Sequence, residues 1–347
     1  MTRVRVPQAV IDVLGANAVA GPETDLSPWS KGWRGESGKA AFVMRPADTE
    51  AVAAAVSACV RNGVDFVTQS GNTGLVSGST PDTTGRQAVL SLERLNRIHE
   101  VDAANRLVRV GAGVRLSTLN WRLEQEGLFF PIDLGADPMV GGMVGTNTGG
   151  ARFLRYGDVR ANTLGVTVVL PDAHGTVLRL GGGLRKDNTG PDWKHLFIGT
   201  SGAFGVVTEC VLNLEPLPRE RATAVVVPRD DEAVVELVGA LESRLGNDLS
   251  AFELMSGNAM RHALAHTPTL RQPFGDDALP CTALLVETAR PAVAGTGESS
   301  LAEGLERALG ELWERDIAPL ADARFGPPEA LWSLRHALSP AVQAAGV

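Results

Sequence analysis

Cysteine is scarce in this chain. Cys59, Cys210 and Cys281 stand far apart with no CxxC spacing, which excludes a disulfide framework or a cysteine-based zinc site and fits buried thiols in a reducing compartment. Basic charge is also short: 32 Lys and Arg against 40 Asp and Glu leave a net charge of −8. Nucleic acid, which needs a basic face to displace counterions, is therefore not an expected partner. No apolar run approaches the length of a membrane span. The stretch from Val10 to Ala20 is broken by Asp12 and reads as a short N-terminal helix, not a secretory core. The expected address is cytoplasmic, with peripheral membrane association left open. A GxGxxG fingerprint after a first strand and a GK[ST] P-loop are both missing, which argues against a nicotinamide Rossmann site and a nucleotide P-loop.

Glycine, in contrast, is plentiful: 39 residues, and clustered. Dense glycine lets backbone N–H groups approach a ligand closely. At 347 residues and 44% hydrophobic content, two or three compact units are expected. A helix after Pro46 has Asp48 as its cap, valines at 52, 56 and 60, and Gly63 as its end. A strand at 64–68 runs into the first glycine-rich loop. Residues 88–92, 97–101 and 107–110 read as strands, 115–126 as a helix, and 163–170 with 176–180 as a hairpin across Pro171–Gly175. Val206–Leu214 is another strand, and 192–197 a helical turn. Past Pro216 and Pro218 the rhythm changes. Strands at 222–227, 249–254 and 279–288 alternate with helices at 230–244, 297–314 and 328–338, and residues 294–300 read as a flexible loop. The class is α+β, with an N-terminal segment (1–40), a domain at 41–218 and a second lobe of ferredoxin-like character at 219–347.

Two segments carry the chemistry. The first, Gln69–Ser70–Gly71–Asn72–Thr73–Gly74–Leu75 through Ser79 and Thr80, places small residues directly after a strand. Successive N–H groups can turn there toward one point and hold a pyrophosphate without cationic side chains. The second runs from Pro131 through Asp137 to Gly141–Gly142, Thr146 and Gly149–Gly150. Residues 142–147 can begin a helix facing an anion, and the paired glycines let backbone pass against a flat ring. Arg152 follows; it can meet a phosphate or carboxylate, or form a surface ion pair.

These pieces, QSGNTGLVSGS, GGMVGTNTGGARFLRYGDVRANTLGVTVVLPD and LRKDNTGPDWKHLFIGTSGAFGVVTE in that order, resemble FAD-linked oxidases of the vanillyl-alcohol-oxidase (PCMH) type. Within them the chain is similar to the branch of D-2-hydroxyacid dehydrogenase, D-lactate dehydrogenase and glycolate oxidase. The resemblance implies a PCMH-type FAD-binding domain of two α+β subdomains and a partial ferredoxin-like cap. It implies FAD held by the backbone of Ser70, Gly71, Asn72, Thr73, Gly74 and Leu75, with the Ser79 hydroxyl added. Gly141, Gly142, Thr146, Gly149 and Gly150 would run along the cofactor, with Pro131, Asp137 and Arg152 at its edge and Val207 offering backbone to the isoalloxazine. Relatives that bond the flavin covalently carry a histidine where Thr73 stands here, so a non-covalent FAD is implied. Gln69 replaces an arginine that usually opens the first loop.

The implied reaction is dehydrogenation of a D-2-hydroxy acid by hydride transfer to flavin N5, with a quinone or carrier protein taking the electrons. Leu331–Trp332–Ser333–Leu334–Arg335 resembles the family's LWxLR motif, whose arginine pairs with the substrate carboxylate; Ser339 lies one turn further on. The family's HxGDGNxH metal motif is not formed by His99, His174, His195, His262, His266 or His336. His262 and His266 share a helix face but have no third ligand nearby, so no metal is expected there. His195 is expected to be a packed structural residue. The chain thus reads as a C-terminally shortened member whose cap lacks part of its sheet. The alternative is a flavin-binding protein incomplete in catalysis, either a degenerate paralogue or a subunit completed by another chain; a partner subunit or a homo-oligomer is left open. The catalytic base is unassigned.

Overall fold

The computed structural model describes residues 5–275, 277–292, 295 and 299–346. The chain divides into two compact units and passes between them repeatedly. The first comprises 1–130, 137–148 and 158–215; the second comprises 131–136, 149–157 and 216–347. The loop expected at 294–300 lies largely outside the described residues.

The first unit opens with α1 (Gln8–Leu14) and a four-stranded sheet: β1 (Val19–Ala20), β2 (Val43–Met44), β3 (Phe66–Gln69) and β4 (Ala88–Ser91). Their order is β1-β2-β4-β3, parallel except at β1. After the short α2 (Ser27–Ser30), α3 (Thr49–Arg61) covers this sheet. Its start is set by the Asp48 carboxylate, which accepts from Ala51 N–H at 2.7 Å, a cap of about 1 kcal/mol. Val52, Ala55, Val56 and Cys59 form its buried stripe against Phe42, Met44 and Leu90. Burial pushes the Cys59 thiol up to about 12 and raises Cys210 as well, so both are inert core residues, while Cys281 is exposed.

A second, fully antiparallel sheet in this unit has the order β5-β6-β10-β8-β9. Its members are β5 (Ile98–Asp102), β6 (Leu107–Gly111), β8 (Thr163–Val169), β9 (Val177–Gly181) and β10 (Val206–Asn213). Between β6 and β8 come α4 (Leu116–Glu124), the two-residue β7 (Leu128–Phe129) and α5 (Val140–Thr146). The expected hairpin is β8–β9, and the expected helices and strands lie within a few residues of these bounds.

Beyond α6 (Phe153–Tyr156) and β11 (Glu215–Pro216), the second unit is built on β12 (Glu220–Pro228), β13 (Leu249–Ser256), β14 (Thr282–Arg290) and β15 (Leu320–Gly326). All pairs are antiparallel in the order β13-β14-β12-β15, the ferredoxin-like arrangement. α7 (Ala233–Leu245) and α9 (Leu301–Trp313) cover one face through Leu237, Leu241, Leu305 and Leu309 against Ala224, Val226 and Val286. α8 (Gly257–His266) and α10 (Pro328–Ala344) pack the other through Met260, Leu331, Trp332 and Leu338 against Val225 and Leu285. Alternate residues of β12 and β14 thus face opposite cores, the period-two rule of a strand buried on both sides. Four strands stand in order, with helices on both faces.

Candidate functional site: a glycine cradle and a buried charge cluster

In the first unit the two glycine-rich segments touch. A Cβ on Gly141 would stand 2.7 Å from Ala112 Cβ and 3.1 Å from Ser70 Oγ, and one on Gly71 would stand 3.0 Å from the backbone nitrogen of Met139. A side chain at Gly141 would force its neighbours to shift, and one at Gly71 would be tightly crowded. The N–H groups of Ser70 through Ser79 donate to no backbone or side-chain acceptor among the described residues. Half-buried backbone donors are normally satisfied, and six of these ten residues, 70–73, 77 and 79, are half-buried, so the open row marks a cradle for an anion. The side chains brace the loop instead. Ser79 Oγ donates to Asn72 Oδ1 at 2.8 Å, and Asn72 Nδ2 donates to the Lys31 carbonyl at 2.6 Å. Asn72 and Ser77 adopt positive φ, +52° and +55°, the left-handed conformation found in backbone nests for anions. Gln69, buried where an arginine is usual, donates from Nε2 to the carbonyls of Trp29 (3.0 Å) and Ser79 (2.8 Å), tying both ends of the loop together.

The Thr80 hydroxyl is buried without a hydrogen-bond partner. This orphan, the open N–H row and the two glycines together fit a phosphate-bearing cofactor such as FAD. Other expected contributors have local duties. Asp137 caps α4, accepting from Ser117 N–H (3.0 Å) and Oγ (2.9 Å). Thr146 Oγ1 donates back to the Gly142 carbonyl at 2.9 Å. Val207 is buried in β10 beside a register shift, which leaves the β8–β10 ladder irregular between it and Glu209. Thr73 is half-buried and Leu75 exposed.

Pro131, Gly149, Gly150 and Arg152 belong to the second unit, so the segment read as one glycine stretch changes unit after Thr148. Gly150, at φ +79°, passes within 3.0–3.1 Å of Asp133 backbone atoms as judged from an added Cβ, and Ala151 N–H donates to the Asp133 carbonyl at 2.9 Å. That contact delivers Arg152 into a charge cluster. Its guanidinium lies 3.1 Å from Asp133 and 3.1 Å from Glu287, and over the Trp332 ring at 5.2 Å. The ion-pair role weighed for it in the sequence is therefore filled by two carboxylates.

Glu287, on β14, is fully buried. It accepts from Arg152 Nε (3.1 Å), Arg221 Nε (3.0 Å), Ser250 Oγ (2.8 Å) and Trp332 Nε1 (2.7 Å). Burial alone would raise its pKa, but Arg152 and Arg221 outweigh it and hold the carboxyl below the ordinary range. Asp133 is likewise lowered, against burial, by His336 and Arg152, and Arg152 is raised, against burial, by Asp133 and Glu287. The residues come from widely separated positions, and sequence reading singled out neither Glu287 nor Arg221. The available signal was a glutamate inside the apolar run TALLVETAR.

Arg335 sits on α10 and pairs with Glu253 of β13, Nε to Oε2 at 2.7 Å. Ser339, one turn on, is exposed. His262 and His266 are exposed on α8, and among the described residues no group of three or more His, Cys, Asp or Glu could hold a metal. His195 is not packed as expected. It lies in an exposed turn, 3.3 Å from Asp192, because its neighbours Trp193 and Leu196 also face outward.

Residues 40–181 match the FAD binding domain, and 217–347 match the C-terminal domain of FAD linked oxidases. The chain is 32% identical over 328 residues to a mitochondrial D-2-hydroxyglutarate dehydrogenase of Arabidopsis thaliana, covering 93% of itself and 56% of that protein. It is 33% identical over 345 residues to the mitochondrial enzyme of the same name from Bos taurus, covering 96% and 60%. The chain thus spans little more than half the length of these relatives. Among solved structures, alkyldihydroxyacetonephosphate synthase superposes with a TM-score of 0.77 at 16% identity, over 99% of this chain and 66% of that one. p-Cresol methylhydroxylase gives 0.69 at 18%, over 94% and 68%. The fold is thus the PCMH type with FAD as its cofactor. The cytoplasmic address expected above is corrected by these relatives, which are named mitochondrial; unbridged thiols mark a reducing environment and do not distinguish one such compartment from another. By its two domain matches and its homologues, the chain belongs to the FAD-linked oxidases, on the branch that includes the D-2-hydroxyglutarate dehydrogenases.

Proposed function

We propose that this chain is an FAD-dependent oxidoreductase that dehydrogenates a D-2-hydroxy acid. The observation that carries the reading is the open row of backbone donors from Ser70 to Ser79, set against Gly141, in a chain that also bears an arginine at the LWxLR position. Residues 41–218 form the cofactor domain and 219–347 the substrate domain. Bound FAD supplies the hydride acceptor at N5. The chain's own residues bind and orient. The 70–79 backbone takes the pyrophosphate, with Gly141, Gly142 and Thr146 along the cofactor and Asp137 and Val207 at its margins. Thr73 offers no histidine for a covalent link, so the flavin dissociates on denaturation. Arg335 takes the substrate carboxylate, which two N–H groups of one guanidinium can meet in a fixed plane, and the Ser339 hydroxyl lies a turn away on the same helix. Electrons pass to a quinone or carrier protein.

The test is anaerobic reduction. The purified chain should be yellow and should bleach with D-2-hydroxyglutarate, D-lactate or D-malate; bound flavin that none of these acids reduces would sink the activity. A second reading is flavin binding without turnover by this chain alone, which spans 56% and 60% of the two dehydrogenases compared above. It predicts that bleaching appears only when the relatives' C-terminal segment is added in trans.

A further inference from the structure

We infer that Glu253 is a positioning residue for carboxylate recognition, acting through Arg335. This rests on the proposed role of Arg335 as the substrate's carboxylate partner. A guanidinium has two bidentate edges: the side, made of Nε and one Nη, and the end, made of the two Nη groups. Glu253 Oε2 occupies the side edge, with contacts to Nε (2.7 Å) and Nη2. The end edge carries no partner among the described residues, and the Arg335 side chain keeps 28% of its surface exposed. One carboxylate is thus spent inside the protein and leaves room for a second, from solvent, at a fixed angle.

The helix itself does not need Glu253 for its placement. α10 is anchored by Leu331, Trp332, Leu334 and Leu338 in the core, by Trp332 Nε1 on Glu287 at 2.7 Å, and by His336 against Asp133 at 3.3 Å. The Glu253 contact falls on the guanidinium alone. A free arginine carries several rotatable bonds whose freedom is lost when a ligand binds; holding the fork in place beforehand removes that loss from the binding step. The pair also cancels the arginine's net charge. Recognition then depends on fit to the end edge instead of on general attraction for anions.

The experiment uses the full FAD-loaded chain and reads dissociation constants from the flavin absorbance change on titration with D-2-hydroxyglutarate, D-lactate and the neutral methyl ester of D-lactate. Glu253→Gln should weaken both acids by about tenfold, the effect of freeing one long side chain, while ester affinity, FAD content and melting temperature stay as in the parent. Glu253→Asp, which keeps the charge but is one methylene too short to span Nε and Nη2, should weaken the acids to a lesser degree, and it serves as the readout if the glutamine variant does not fold. Arg335→Lys is the control for the underlying site. If the lysine variant loses acid binding and both Glu253 variants do not, the inference is overturned and the Arg335 reading stands. If acid affinity rises in Glu253→Gln, Glu253 competes with substrate and the inference is equally overturned. If none of the variants changes binding, the Arg335 site itself is wrong and the inference falls with it.

Discussion

The glycine cradle of the first unit and the charge cluster of the second are built by opposite means. The cradle works by leaving things out: no Cβ at Gly71 or Gly141, and no acceptor for ten N–H groups. The cluster works by filling every demand, with Glu287 meeting four donors in a site closed to water. A site meant to receive a ligand keeps its valences open; a site meant to hold the protein together closes them. Arg152 illustrates the distinction. A cation beside glycine loops suggests a phosphate contact, yet its two carboxylate partners place it with the closed kind.

Mutations can separate the two. Glu287→Gln should have the largest effect, a loss of about 3 kcal/mol in denaturant titration, the low end for breaking a buried pair, because it removes the buried charge that Arg152 and Arg221 share and leaves them only Asp133 and the more distant Glu329; a loss under 1 kcal/mol would mean the cluster is not closed. Gly141→Val comes next. Its side chain strikes Ala112 and Ser70, costing about 1–3 kcal/mol by overpacking, and purified protein should be colourless, whereas full flavin occupancy would mean the cradle lies elsewhere.

Acid should act more strongly on the buried cluster than on the cradle, where the one carboxylate bonded to the loop, Glu36 at Ser77, is exposed. Glu287 and Asp133 have pKa values held below 4.5 and 3.8, so their contribution is complete above those ordinary values and is lost as pH falls through the depressed ones. Melting temperature followed downward from pH 5 should decline, and the Glu287→Gln variant should show a shallower decline. Ser79→Ala removes one hydroxyl bond to Asn72, worth about 1 kcal/mol, and should raise the FAD dissociation constant several-fold without bleaching the protein. Smallest of all, Thr73→Ala should leave flavin stoichiometry unchanged, with all FAD released into the supernatant on acid precipitation. Flavin retained in the pellet would contradict a non-covalent cofactor.

The same contrast explains what could be read from the sequence. The cradle was legible because its elements are local: a strand ending at Gln69, a loop of small residues, and a double glycine within one stretch. α3 was legible for the same reason, with Asp48, a four-residue repeat and Gly63 all in one window. β14 is buried along seven consecutive residues, so it offers no alternation from which to learn that Glu287 points at arginines 135 and 66 positions away. β15 escaped notice because its run LADARFG is largely exposed and carries charges, lacking the periodic apolar residues that mark a strand. α8 showed only as a spacing of two histidines, since its buried contacts, Met260 and Ala263, are few.

The passage of the chain between units bears on how such a protein can be recombined. Segments 131–136 and 149–157 lie within the cofactor domain by sequence but belong to the second unit by contact. A chimera that joins this chain to a homologue's cap at residue 216 would keep Asp133 and Arg152 from one parent and take Arg221, Glu287 and Trp332 from the other. The crossover that preserves the partnership is a double one, transplanting the two short segments together with the cap. The inheritable module of this fold is therefore discontinuous in the gene.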